Sequence, residues 1–96
     1  MTTCASEDKA KPVINALLEQ RLAACVQTIP IKSSYIWEGA VQHEDEVLLL
    51  IKGKTEAFED IRETILRLHD YDVPEIIQIP ITGGHEPYLS WLENPK

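Results

Sequence analysis

Residues Arg21–Trp37, RLAACVQTIPIKSSYIW, decide how the rest of the chain is arranged. The stretch leaves a helix, turns through the small apolar residues Leu22-Ala23-Ala24-Cys25, and enters a strand that runs to about Glu38. A strand of that length is more than twice the usual five or six residues. Pro30 within it has no N–H to donate, which marks an edge position or a bulge. The remaining elements pair with this strand or cover it.

Upstream, Thr2–Ala5 is β-prone and predicts a first strand. It starts as though already within a strand, so further residues before Met1 are expected. Ser6 suits a helix N-cap, and Glu7 and Asp8 suit the positive end of the helix behind it. Ala10, Val13, Ile14, Leu17 and Leu18 recur at helical spacing through about Gln20. Pro12 either opens that helix or disturbs its first turns, and one helix with a disturbed beginning is expected.

Downstream, Glu38-Gly39 turns the chain into a third strand, Ala40–Val41 and then Val47–Lys52, with His43-Glu44-Asp45-Glu46 as a polar interruption. Val47-Leu48-Leu49-Leu50-Ile51 does not alternate, which predicts burial on both faces. Thr55 is the expected cap of a second helix, with Phe58, Ile61, Ile65 and Leu68 as its stripe, ending at His69–Asp72. Val73–Ile81, VPEIIQIPI, predicts a fourth strand with a proline near each end. Thr82–Pro87 is a loop and Tyr88–Glu93 a short closing helix.

The order β-α-β-β-α-β predicts an α+β, ferredoxin-like sandwich, and 96 residues make a single domain over 1–96. In such a sandwich the helices cover one face of the sheet. The strands here are apolar on both faces, and no element is left over to cover the second. Further copies of the chain, in a closed cyclic homo-oligomer, are the economical cover.

The net charge of −7 argues against nucleic acid, which requires a positive footprint. No stretch approaches the roughly 20 apolar residues of a membrane span. Two cysteines are too few for a disulfide framework, so a reducing, cytoplasmic setting is expected.

Motifs for chemistry are sparse. The chain has no C-x-x-C, H-x-x-x-H or EF-hand spacing, no glycine elbow around a serine and no phosphate loop. No catalytic residue is expected, and no enzymatic activity. Cys25 lies in an apolar turn and reads first as a small buried hydrophobe. His69 closes a helix, where an imidazole meets free carbonyls. Arg21, Lys52 and Glu75 stand beside strongly apolar segments, where charge is costly unless paired. Tyr35 with Trp37, and Tyr88 with Trp91, form two close aromatic pairs of the kind that favours interfaces. Together these seven residues predict a pocket between subunits or, equally, the rim of an interface without a ligand.

Several blocks, RLAACVQTIP, SSYIWEG, EVLLLIK, LHDYDVPEII and YLSWL, resemble in order and nearly full length the CutA divalent-ion-tolerance family. The resemblance implies a ferredoxin-like subunit in a tight homotrimer, similar in architecture to PII signalling proteins, with the long second and third strands reaching onto a neighbour. It implies a role in tolerance of copper and other divalent ions, no required cofactor, and Cys25 and His69 as the positions to test for copper. A small anionic ligand held between subunits by Arg21 and Lys52 is the alternative, as is a structural trimer docking a protein partner. The chain departs from the family pattern in Asp70, which puts a carboxylate beside His69, and in Gly53 where a threonine is usual.

Overall fold

The computed structural model describes residues 1–96 and contains a three-stranded antiparallel sheet with helices packed on it. The first strand, β1, spans Thr2–Cys4. Helix α1 follows over Glu7–Glu19, with the Lys9 N–H donating to the Ser6 hydroxyl at 3.2 Å as the N-cap bond. Pro12 lies inside this helix rather than at its start. The ring removes the N–H that would reach the Asp8 carbonyl, yet the helix continues unbroken because its inner face is packed. Ala10, Val13 and Leu17 make that face and are fully buried.

Strands β2, Cys25–Trp37, and β3, Ala40–Lys52, form one long hairpin paired from Cys25↔Lys52 to Trp37↔Ala40. At about 3.3 Å per residue, the twelve steps between 13 paired positions span about 40 Å, which accounts for most of the long axis of a molecule measuring 45 × 26 × 21 Å. Strand β2 is an edge of the β1-β3-β2 sheet, where Pro30 is tolerated. The expected polar interruption at His43–Glu46 does not occur, and β3 runs straight through it. Cross-strand partners hold those residues in the ladder: Lys32 Nζ donates to Asp45 Oδ1 at 3.0 Å, and the Ser34 hydroxyl meets His43 Nδ1 at 2.9 Å.

Helix α2 occupies Phe58–Leu68, after a 3₁₀ turn at Thr55–Ala57. Thr55 therefore opens the turn instead of capping the helix, and no side chain caps either. Helix α3 is Glu86–Glu93, two residues longer at its start than the pattern predicts, with Pro87 in its first turn. The core joins α1 and α2 to one sheet face through Cys4, Val13, Leu17, Val47, Leu49, Ile61 and Ile65. Val47 and Leu49 face inward, while Leu48 and Leu50 are half-buried on the opposite face.

The fourth strand expected at Val73–Ile81 is not formed as a strand. The segment makes one antiparallel bridge, Thr2↔Ile76, and the Ile77 N–H donates to the Met1 carbonyl at 3.1 Å. Strand β1 is too short to pair more of it, and Pro74 and Pro80 lack N–H groups at its two ends. The position is nonetheless the one a ferredoxin-like sheet assigns to its last strand, on the far side of β1 from β3.

Candidate functional site

Two strands and a helix end converge where β1 meets the chain after α2. His69 is the C-cap of α2, and its side chain is only 1% exposed. Its Nδ1 accepts the Tyr71 N–H at 3.1 Å, so the ring proton is on Nε2, which donates to the Thr3 carbonyl at 2.6 Å. The Cys4 thiol lies 3.9 Å from the same Nε2. Burial, and then the negative charges of Asp70 and Glu46, push that thiol up and keep it protonated.

The Tyr71 ring is tilted against the imidazole at 4.6 Å and its hydroxyl donates to Glu46 Oε2 at 2.8 Å. Burial first, and then that hydrogen bond and the charge of Glu46, hold the phenol well above its ordinary range. Glu46 is itself 9% exposed. A bonded path therefore runs from β1 through His69 and Tyr71 to β3. Pattern reading missed this path because its ends are far apart in sequence; the H-x-Y spacing at residues 69–71 was the available signal.

Beside this path opens a groove of about 820 Å³ between the outer half of the hairpin and residues 71–75. Tyr35, Trp37 and Glu75, three of the seven expected pocket residues, line it together with Glu44, Glu46 and Asp72. The Tyr35 phenol is raised, by local desolvation first and then by the nearby Glu44 carboxylate. Lys52, Tyr88 and Trp91 form a separate cluster. Lys52 Nζ donates to the Tyr88 hydroxyl at 3.0 Å and sits 5.3 Å above the ring, and Tyr88 meets Trp91 at 5.9 Å. The bond to Tyr88 is the main reason the Lys52 ammonium is held above its ordinary range. Arg21 lies in neither group; it lines a smaller cavity with Lys54 and Glu93. The single pocket expected from the seven residues is, within one chain, three places.

The expected Cys25–His69 metal pair is not brought together within the chain. Cys25 pairs with Lys52, whereas Cys4, the thiol beside His69, pairs with Val47. Five residues of β3 separate those two levels, about 17 Å along the strand. His69 also has no free lone pair while Tyr71 and Thr3 hold its ring. No group of three or more His, Cys, Asp or Glu side chains is arranged to hold a metal ion. No helix is long and apolar enough to cross a membrane.

Comparison with known proteins gives a consistent family. The family model described as CutA1 divalent ion tolerance protein matches residues 1–95. A divalent-cation tolerance protein CutA from Thermus thermophilus is 45% identical over 93 residues, covering 96% of this chain and 90% of the relative. A chloroplastic protein CutA from Arabidopsis thaliana is 44% identical over 93 residues, but the chain spans only 51% of its length. Among solved structures, the Thermus thermophilus Cut A1 protein superposes with a TM-score of 0.91 at 45% identity, covering 96% of this chain and 90% of that one. An Archaeoglobus fulgidus CutA described as periplasmic gives 0.92 at 36% identity, covering 95% and 89%.

Proposed function

The chain belongs to the CutA1 divalent ion tolerance family, and from that premise we propose that it serves tolerance of divalent cations as a homotrimer, without catalysing a reaction. The observation that carries the cation role is the match over residues 1–95, supported by relatives named for divalent-cation tolerance. The trimer is supported by the uncovered apolar surface of the hairpin and of residues 73–81. Residues 73–81 offer a nearly unpaired extended backbone, and β2 offers a free edge; both are filled by neighbouring copies.

Copper is the ion proposed, bound weakly. Cys25 is a free thiol at partial exposure, and a soft ligand selects copper over magnesium. With no complete ligand set in one chain, the remaining donors come from other copies or from solvent. His69 is left out of the set because both ring nitrogens are engaged. The two free cysteines support a reducing compartment, the cytoplasm.

Calorimetric titration with copper tests this. The Cys25→Ser variant is expected to bind about tenfold more weakly, a loss of about 1.4 kcal/mol, while His69→Gln retains the affinity of the parent. Equal copper affinity for Cys25→Ser and the parent contradicts the assignment of Cys25.

A further inference from the structure

We propose that the cavity between the turn after α1, the segment after β3 and the end of α3 binds a small oxyanion, a carboxylate or phosphate, through Arg21 and Lys54. The cavity measures about 180 Å³, and Arg21, Leu22, Gly53, Lys54 and Glu93 are among the residues that line it. It is separate from the groove beside Tyr71 and from Cys25.

The first observation is backbone strain. Arg21 stands at φ +56, in the left-handed region, immediately after α1. The Leu22 N–H closes back onto the Leu17 carbonyl at 3.0 Å and the Arg21 N–H onto Leu18 at 3.1 Å. Glycine is the ordinary occupant of such a helix end, since it meets no steric penalty there. The only other non-glycine residue at positive φ is Glu38, in the hairpin turn that requires it. An arginine in this conformation is a strained residue, and strain of this kind collects at functional sites.

The second observation is charge. Lys9, Lys11, Lys32 and Arg62 each pair with a carboxylate, whereas Arg21, Lys52, Lys54, Arg67 and Lys96 do not, and of these five only Arg21 and Lys54 line this cavity. In a chain with 16 acidic residues against 9 basic ones, two unpaired cations share one cavity. Glu93 also lines the cavity, so the lining carries two positive charges and one negative and is matched to a single negative charge. A guanidinium fork and an ammonium together are the donors that recognise an oxyanion.

The third observation is the frame that holds them. A Cβ at Gly53 would lie 2.6 Å from the Leu22 carbonyl oxygen, so the Arg21–Leu22 and Gly53–Lys54 segments are pressed backbone to backbone. The Ala24 N–H donates to the Lys52 carbonyl at 2.9 Å and fixes the same junction. Arg21 and Lys54 are thus carried on adjoining, locked segments.

The test is amide-resolved NMR titration of the full chain with inorganic phosphate and, separately, with acetate, against sodium chloride at matched ionic strength. Saturable shifts at Leu22, Gly53 and Lys54 with either anion, and not with chloride, are the expected result; which anion saturates identifies the source. Arg21→Gly is expected to raise Tm, by removing strain, and to weaken binding about tenfold or more. Lys54→Gln weakens binding without raising Tm. Non-saturable shifts, the same shifts with chloride, or unchanged dissociation constants in both variants overturn the proposal.

Discussion

At the scale of single residues, the Tyr71–Glu46 bond is the most exposed to test. Glu46 is a nearly buried carboxylate whose Oε2 accepts the Tyr71 hydroxyl. Tyr71→Phe removes the donor and leaves the acceptor under-satisfied, with an expected loss of about 1–3 kcal/mol at neutral pH. The alkaline side carries a sign. The folded protein holds the Tyr71 phenol above its ordinary value, through burial and then Glu46. That stabilisation is complete below the unfolded tyrosine pKa of about 10 and is lost as pH rises through the folded value. Cys4, raised by burial, behaves likewise from its unfolded value of about 8.5. Denaturant unfolding at pH 8 and pH 11 should show the parent losing stability across the interval and Tyr71→Phe losing less. Equal losses in parent and variant would show that Tyr71 does not titrate differently in the two states.

The elements divide by whether their partners lie nearby in sequence. The hairpin was legible because its turn is local: Glu38 at φ 50 and Gly39 at φ 78 make a two-residue turn that twists with its strands. Glutamate is the poorer fit at the first of these positions, and Glu38→Asn is expected to stabilise the hairpin by about 0.5 kcal/mol. Thermal unfolding checks this; a lower Tm would mean that the Glu38 side chain has a partner worth more than the relief of strain.

The Val47–Ile51 run forms a strand as its composition predicts, but within one chain only the Val47 and Leu49 face is buried, while Leu48 and Leu50 on the other face are half-buried. His43–Glu46 read wrongly as an interruption. Its polarity is that of a solvent-facing ladder, answered by Lys32 and Ser34 on the opposite strand rather than by a break. Val73–Ile81 has the composition of a strand but, within one chain, only Thr2 to pair with. The site was less legible than the fold. Cys25 and His69 were plausible by residue type, but the strand register that separates them is not written in local pattern, and Cys4 reaches His69 across 65 positions.

The whole molecule is a helix-backed sheet with an unfinished side. Its long hairpin projects beyond the core, with Ile36 76% exposed, and the residues after α2 leave Val73 at 70% and Ile79 at 61%. Apolar surface of this extent is costly in water at about 25 cal/mol per Å², and a continuous patch of it marks an interface. The proposed closed ring of copies would cover the open sheet face and pair the free strand edges in one step. Multi-angle light scattering on the full chain at micromolar concentration tests this most directly. The expected mass is three times the 10.9 kDa of the chain; a stable species at the mass of one chain would contradict it.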